Sequence, residues 1–485
     1  MKSIIIFIIL ISALHLNAQK AEKNMARQVA NNWAANKMGL PNNIIGEQHE
    51  LTHKADTTLF VFNLADNGFV IVSADKNTNP VLAYSNTGYL DMENIPIEFQ
   101  SWLDYYTEMV LYNRNMKSNK KTIDKWDDII EGSSLKSLQT NVPSLFESTS
   151  SSRWAAWDPY FNQAPETTSP QFSRGHWGCV PGRLSELMKY HKHPRIGIGS
   201  NTYTYDGITI SESFNRIFEY EEMPYRLTYC GNGHPTCNDG SFNIIPGVTQ
   251  KNIDQVGWLQ YLAGVSVGMR WLGLRGDPET IPGHLKGTTG NTGNWAEKLA
   301  THFGYSANYD YWNNIAIQND TEGFKIRARE NLTNGIPILF RYETVINGGG
   351  HAVIIDGVED DDFFHIIFGW GGHMDGYYYL FSSDSSNTHE PRPHIEKWGL
   401  NACFDIVPNC PDVQNQTYAN KTVNINDGFI FEAIDNVTIS NTTIIGNGLN
   451  GGKAVAKAAN SVMITSNFEV QLGAQFSIYV EPCGN

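Results

Sequence analysis

Cys179 is the residue of this sequence best placed to act as a nucleophile. It stands in the segment SRGHWGCVPGRLSELMKYHKHP, where Leu184, Leu187 and Met188 have helical spacing and Pro181 suits a first turn. The spacing predicts that Cys179 lies at a helix N-terminus, where free backbone N–H groups favour the thiolate and can hold an oxyanion. This arrangement suits acyl transfer, although a buried structural cysteine has the same pattern.

His351 is the complementary candidate. The stretch NGGGHAVIIDGVEDDDFFHIIFGWGGHMDGYYYL predicts a strand from His351, an acidic turn over 359–362, a strand to Phe368 and a glycine-rich bend that holds Trp370. The glycines that end at Gly350 let other backbone approach the histidine closely. A histidine at a strand start can meet a distant helix N-terminus, take the proton of a thiol and later protonate a leaving amine.

The remaining polar residues indicate no metal and no cofactor. Several histidines lie near the two candidates, but their spacing matches no zinc signature. The acidic run at 360–362 lacks the spaced oxygen ligands and turn glycine of an EF-hand loop. We therefore predict a site without metal or cofactor.

The N-terminal third contains two predicted parts. A positively charged start and an apolar run predict a signal peptide over residues 1–18, too short for a comfortable membrane span. Residues 19–131 then read as a small α+β unit, with an amphipathic helix over 20–39, strands between 57 and 90, and a second helix around Trp102.

Three further parts follow along the chain. Residues 132–152 are rich in Ser, Thr and Gly without periodicity, which predicts an exposed linker that is open to proteolytic cleavage. Residues 153–408 are richest in Trp, Tyr, Gly and His, so an aromatic-lined cleft is expected here. Residues 409–485 alternate short apolar stretches with Asn/Gly turns, which predicts an all-β module.

The cysteines predict two disulfide bridges if the chain enters an oxidising compartment. Cys410 and Cys483 stand at the two ends of the β-rich tail, and Cys230 and Cys237 flank a short loop. Pairing cannot be deduced from sequence, so free thiols remain the alternative for both pairs. Cys179 and Cys403 are left over.

Composition excludes some classes of partner. The chain has 485 residues, of which 41% are hydrophobic and 18% charged, as in a folded globular protein. Its 50 acidic and 35 basic residues give a net charge of −15, which repels phosphate backbones and anionic membranes. We predict no nucleic-acid partner, no membrane span in the mature chain, and a secreted or cell-surface location.

Three segments resemble motifs of the streptopain family of secreted bacterial cysteine peptidases. GCVPGRLSELMKYHKHP, GGGHAVIIDG and FGWGGHMDGYYYL are similar to that family's nucleophile, histidine and tryptophan-loop motifs, and FVIVSADKNTNPVLAYS resembles its inhibitory propeptide. The resemblance covers roughly residues 20–408 and implies Cys179 as nucleophile and His351 as general base and acid. The cleft or supporting residues that it implies are Gly178, Gly350 and Trp370.

The resemblance also implies a zymogen. Protein or peptide substrates would be excluded by the chain's own propeptide, 19–131, until the linker over 132–152 is cut. The predicted fold class is therefore α+β, with a papain-like cysteine peptidase core preceded by a small α+β propeptide and followed by a small all-β domain. The tail resembles a β-rich C-terminal module of secreted Bacteroidetes-type proteins.

This sequence departs from the family pattern at two supporting positions. Ala156 replaces an oxyanion-hole glutamine and Ile367 replaces the asparagine that orients the imidazole, while Pro181-Gly182-Arg183 stands where the family has small helix formers. Loss of one oxyanion donor costs about 100- to 1,000-fold in kcat. The candidate substitutes are Gln163 and Gln171 for the oxyanion donor, and Asp356, His365 and Asp375 for the orienting residue.

Three functional hypotheses remain open. The first is a secreted cysteine endopeptidase made as a zymogen, which cuts peptide bonds through Cys179 and His351. The second is a pseudopeptidase that binds or inhibits, because Ala156 and Ile367 have disabled turnover. A structural surface protein is the third and weakest hypothesis, since the cysteine and the histidine both stand at matching motif positions.

Overall fold

The computed structural model describes most of the chain between residues 20 and 483. The predicted signal peptide lies outside the described residues, as does Cys237 of the predicted Cys230–Cys237 bridge. The positions within 20–483 that are not described are 43, 66, 117–119, 134–140, 150–151, 156–157, 167–173, 176–177, 206, 231–241, 272–291, 344–349, 360–362 and 382–398.

The N-terminal region, residues 20–133, packs helices against four antiparallel strands. Its elements are α1 (Lys23–Asn36), β1 (Ile45–His53), β2 (Asp56–Leu64), β3 (Phe69–Ser73), β4 (Val81–Ser85), α2 (Ile97–Arg114) and α3 (Lys120–Ile130). Ala26, Val29, Ala30 and Trp33 recur at helical spacing and are buried, so α1 has one apolar face. The predicted helices and strands are found. Strand β1 was missed because only its first residue is buried, which leaves no apolar alternation to detect.

The central region, residues 141–408, holds both candidate residues. Its helices are α4 (Leu145–Thr149), α5 (Cys179–His191), α6 (Gln250–Ser266), α7 (Thr292–Phe303), α8 (Asn314–Asn319) and α9 (Thr321–Thr333). Its strands are β5 (Ser200–Tyr205), β6 (Ile208–Ser213), β7 (Thr228–Cys230), β8 (Phe242–Ile244), β9 (Asp310–Trp312), β10 (Ile338–Glu343), β11 (Gly350–Glu359), β12 (Phe363–Ile367), β13 (Gly376–Tyr379) and β14 (Asn401–Phe404). Helix α5 packs on α6 and on β11.

One ten-stranded antiparallel sheet runs through both regions. Its order is β1-β2-β3-β4-β13-β12-β11-β10-β14-β9. The regions join where β4 pairs with β13, with Tyr84 opposite Tyr377 and Ala83 opposite Tyr378. The rings of Tyr84 and Tyr377 stack there with centroids 5.3 Å apart. The N-terminal region therefore shares a sheet and a continuous apolar core with the central region.

The second half of the predicted linker is docked on the central region. Val142 exchanges two backbone hydrogen bonds of 2.8 Å with β11. The buried Asp356 carboxylate accepts the Ser144 hydroxyl at 2.6 Å and the Phe146 amide at 3.0 Å. The prediction of an exposed linker over 132–152 is wrong for this part, because a buried carboxylate needs donors and this segment supplies them.

The C-terminal region, residues 409–483, is a stack of three coils. Its parallel sheets are β15 (Asn415–Ala419), β18 (Asn436–Ser440) and β21 (Ser461–Ile464); β16 (Thr422–Val423), β19 (Thr442–Ile444) and β22 (Phe468–Val470); and β17 (Gly428–Glu432), β20 (Lys453–Ala458) and β23 (Gln475–Val480). This is the pattern of a parallel β-helix. The predicted all-β module and its Cys410–Cys483 bridge are confirmed. The parallel stacking was not predicted, since short strands between Asn/Gly turns suit hairpins equally well.

Arg195 joins the C-terminal and central regions. Its guanidinium donates two hydrogen bonds of 2.8 Å to Glu221 and two to Glu481, of which the one from Nε is 2.6 Å long. It also lies 3.8 Å from the centroid of the Tyr479 ring, in a cation–π contact. One buried cation therefore holds a carboxylate from each region.

We expect Arg195→Met to lower the free energy of unfolding by about 2 kcal/mol, because it removes the charged hydrogen bonds that a buried guanidinium makes to the exposed Glu221 and the partly buried Glu481. Urea unfolding of the full-length chain near neutral pH measures this change. Lys251→Met is the matched control, since Lys251 makes exposed ion pairs with Glu219 and Glu222 and should change stability little. Equal destabilisation by the two substitutions would contradict a structural role for Arg195.

Candidate active site

Helix α5 positions the Cys179 thiol. Gly178 is the N-cap of the helix and Cys179 is its first residue, as the sequence predicted. Leu184, Leu187 and Met188 are buried in the core of the central region and fix the helix there. The thiol is consequently held at the helix N-terminus in a half-buried position.

Strand β11 brings His351 to the same place. The residue after it, Ala352, donates its backbone N–H to the Cys179 sulfur at 3.2 Å. A Cβ on Gly350 would come within 3.1 Å of the Tyr342 carbonyl oxygen, so a glycine there lets β10 lie close to the start of β11. The two residues proposed as a pair from the sequence are therefore neighbours.

Hydrogen bonding fixes the proton of the His351 ring. Its Nε2 atom lies 2.7 Å from the Phe368 carbonyl oxygen. Because a carbonyl oxygen can only accept, Nε2 carries the proton and Nδ1 carries the lone pair. Nδ1 is buried and has no hydrogen-bond partner. Trp370 stacks on the same ring with centroids 4.5 Å apart and planes at 20°.

Burial decides the charge of the pair in this form of the chain. It raises the pKa of the Cys179 thiol to about 11, although the Ala352 amide acts in the opposite direction. It lowers the pKa of His351 to about 3, although the Phe368 carbonyl opposes it. Both groups are therefore neutral at pH 7. Desolvation therefore disfavours the thiolate expected at the helix N-terminus, and the Ala352 amide does not offset it.

Helix α2 of the N-terminal region begins beside this pair. The backbone carbonyl of Glu98 accepts the Tyr342 hydroxyl at 2.9 Å, and the Tyr342 and His351 ring centroids are 6.1 Å apart. Phe99 packs edge-on against Phe368, with ring centroids 5.4 Å apart. The first turn of α2 therefore contacts the residues that surround His351 and contributes to the burial of the site.

None of the described side-chain substitutes considered from the sequence is hydrogen-bonded to Cys179 or to the His351 ring. Gln163 donates to Asp254 at 3.0 Å, and Nδ1 of His365 donates to the Asp356 carboxylate at 2.6 Å. Neither hydrogen bond involves Cys179 or His351. The two remaining positions of that comparison, Ala156 and Gln171, lie outside the described residues.

A backbone carbonyl occupies the position expected for an orienting side chain. The Phe368 carbonyl holds His351, and the Phe368 amide donates to Asp375 at 2.9 Å. Asp375 therefore acts on His351 only through the peptide backbone. Ile367, which replaces the asparagine, is buried in the core. No sequence signal identifies the carbonyl, since every residue carries one.

The other described histidines of the central region have protein partners. His191 lies 3.1 Å from the Tyr305 hydroxyl, and His193 lies 2.8 Å from the Gly304 carbonyl oxygen. Within the part of the chain that the structure describes, no three His, Cys, Asp or Glu side chains are grouped to hold a metal ion.

Two parts of the chain match known protein families. Residues 154–378 match the Peptidase C10 family, and residues 18–110 match the Spi protease inhibitor. Residues 154–378 are a Peptidase C10 domain. The region that precedes this domain is an inhibitor-type propeptide, so the resemblance to the streptopain family is confirmed.

Known relatives agree with this assignment. Streptopain from Streptococcus pyogenes is 27% identical over 338 residues, which cover 67% of this chain and 74% of streptopain. The thiol protease/hemagglutinin PrtT from Porphyromonas gingivalis is 23% identical over 381 residues, which cover 75% of this chain and 39% of PrtT. The chain is accordingly a cysteine peptidase homologue with a propeptide.

A solved structure supports the fold. A prointerpain A fragment from Prevotella intermedia superposes with a TM-score of 0.52 at 21% identity and covers 74% of this chain and 98% of that fragment. The papain-like fold with an N-terminal propeptide, expected from the resemblance, is therefore confirmed.

The buried Glu98 carboxyl should make the stability of the full-length chain depend on pH. Burial raises its pKa from 4.5 to about 7, so the folded chain favours the protonated form. The stability that this proton supplies is complete below the unfolded pKa and is lost as the pH rises through about 7. We expect Glu98→Gln to stabilise the full-length chain by about 3 kcal/mol near pH 8 and to change it little below pH ~4.5.

Urea unfolding of the full-length chain at the two pH values measures this effect. Glu131→Gln is the control, because Glu131 is an exposed carboxyl of the same region and should leave the pH dependence as it is. If the stability difference between the two pH values were the same in Glu98→Gln as in the wild type, this carboxyl would not be the source of the pH dependence.

Proposed function

We propose that this chain is a secreted cysteine endopeptidase made as a zymogen, with Cys179 as nucleophile and His351 as general base and acid. The observation that carries the proposal is the hydrogen bond from the Ala352 amide to the Cys179 sulfur, which seats the thiol at a helix N-terminus beside His351. Membership of the Peptidase C10 family supports the same reaction class.

The geometry supports a two-step acyl transfer. Nδ1 of His351 takes the thiol proton, and the sulfur attacks the substrate carbonyl while backbone N–H groups at the start of α5 receive the oxyanion. The imidazolium then protonates the leaving amine, and a thioester to Cys179 remains. Water attacks this thioester with His351 as base, which releases the carboxylate product and regenerates the thiol. Trp370 covers one face of the imidazole throughout.

Activation requires removal of the propeptide, 19–131. We place the cut within 132–152, on the N-terminal side of Val142, because the residues that follow Val142 are docked on β11 and Asp356. The mature chain would then begin before Val142 and carry this docked segment ahead of the peptidase domain, 153–408. Release of α2 would admit water to the site and favour the ionised pair.

The location follows from different observations. The N-terminal sequence has the form of a signal peptide, and a disulfide closes the C-terminal region, as in proteins of oxidising compartments. None of the described helices has both the length and the apolar character needed to cross a bilayer. We place the mature protein outside the cytoplasm, as a secreted or surface enzyme that acts on protein or peptide substrates.

The competing function is a pseudopeptidase with a peptide-binding cleft. The observation that favours it is the unpartnered Nδ1 of His351 together with the replacement of the orienting asparagine by Ile367. Burial by the propeptide accounts for the neutral pair, and the Phe368 carbonyl occupies the missing orienting position, so we favour the enzyme.

We expect the processed chain to cleave a denatured protein substrate under reducing conditions. Cys179→Ala should abolish cleavage, and His351→Ala should lower kcat by at least about 1,000-fold, because each removes one member of the reacting pair. The full-length chain is cut in the linker by an added protease, which is inhibited before the assay.

Cys403→Ala is the matched control, because this cysteine is buried on β14 away from the pair and should keep kcat within about twofold. No cleavage by folded, processed wild-type protein would move the assignment to the pseudopeptidase.

A further inference from the structure

Arg183 is a buried cation on the catalytic helix that the proposed reaction does not use. It lies four residues after Cys179 on α5, so both side chains project from the same helix face. Its side chain is 3% exposed, although arginine is almost never buried without partners. The arginine also stands where the family pattern has a small helix former.

Arg183 reaches the turn that orients His351. Its Nη1 atom donates to the Ile367 carbonyl oxygen at 3.4 Å. Gly369, two residues later, has φ of +84°, and a Cβ there would come within 2.1–2.2 Å of three guanidinium atoms. The guanidinium therefore lies directly against this turn. Phe368, between the two contacts, provides the carbonyl that holds His351.

Glu186 extends the contact to a second segment. Its carboxylate pairs with Arg183 at 2.5 Å and accepts the Trp154 backbone N–H at 2.9 Å. The Trp154 carbonyl in turn accepts the Gly371 amide at 3.1 Å. The pair on α5 thus contacts both the segment before Ala156, at Trp154, and the turn at 367–369.

We propose that the Arg183–Glu186 pair is a positioning device that replaces the missing asparagine: it clamps the 367–371 turn against α5 so that the Phe368 carbonyl orients His351 toward Cys179. The inference rests on the proposed peptidase function.

A buried ion pair is a poor source of stability, because the cost of desolvating two charges offsets their attraction. Holding the Phe368 carbonyl in position would explain why the Arg183–Glu186 pair is present. An imidazole held by a carbonyl keeps its orientation only while that peptide is fixed, and a displacement of about 1 Å costs about 100-fold in rate. Because the Arg183–Glu186 pair contacts the turn that holds His351, its loss should affect kcat more than KM.

The test compares Arg183→Met with Arg216→Met in the processed chain. Arg216 is a partly buried arginine whose guanidinium lies 4.0 Å from the Trp258 ring centroid, away from the pair. We expect Arg183→Met to lower kcat by about 10- to 100-fold with KM within about threefold, and Arg216→Met to keep both. Adding Ile367→Asn to Arg183→Met should restore kcat at least about tenfold, since it supplies the orienting side chain.

Thermal unfolding of each variant establishes that it is folded. A folded Arg183→Met with unchanged kcat overturns the inference, as does a loss of kcat that Ile367→Asn does not restore. If Arg183→Met does not fold, Arg183→Lys is the variant that tests the inference, because it keeps the positive charge but lacks the planar guanidinium. Its kcat should fall about tenfold, and full retention overturns the inference.

Failure of the proposed function has a different signature. If the processed wild-type chain is inactive, the proposed peptidase function is wrong. The rate of Cys179 alkylation then still measures how well His351 activates the thiol. Slower alkylation in Arg183→Met than in wild type supports the positioning role, and equal rates overturn it.

Discussion

The hydrogen bond between the Ala352 amide and the Cys179 sulfur joins the start of a helix to the start of a strand, and the rest of the structure holds these two points at 3.2 Å. Helix α5 is fixed by its buried face against α6 and β11, and β11 is fixed in the middle of a ten-stranded sheet. The helix N-terminus can supply oxyanion donors, while the strand supplies the base. The proposed chemistry depends on this one contact between the start of α5 and the start of β11.

Desolvation is the second constraint. The burial that protects the site also suppresses ionisation, raising the pKa of Cys179 and lowering that of His351. A reactive ion pair therefore requires a change of environment, and the propeptide provides a means. It shares a sheet with the peptidase, and a Cβ on Gly376 would come within 2.6 Å of the Tyr84 carbonyl oxygen across the β4–β13 junction. Activation must separate two paired strands as well as cut the chain.

Local patterns in the sequence were enough to predict the helix start at Cys179, the strand at His351 and the β-rich tail with its Cys410–Cys483 bridge. The helix and strand starts depend on residues close together in the chain, whereas the bridge, between cysteines 73 residues apart, was suggested only by their places at the two ends of the tail. The docking of Phe146 on Asp356 and the coiling of parallel strands were not predictable, because they depend on residues far apart in sequence. The orienting carbonyl of Phe368 leaves no signal in side-chain identity.

The rate of Cys179 alkylation as a function of pH, measured before and after propeptide removal, tests the central claim most directly. The full-length chain should react slowly and accelerate only as the pH approaches about 11, where its buried thiol ionises. The processed chain should instead react rapidly at neutral and mildly acidic pH, and far faster at Cys179 than at the buried Cys403. Identical profiles for the two forms would contradict an activated cysteine–histidine pair.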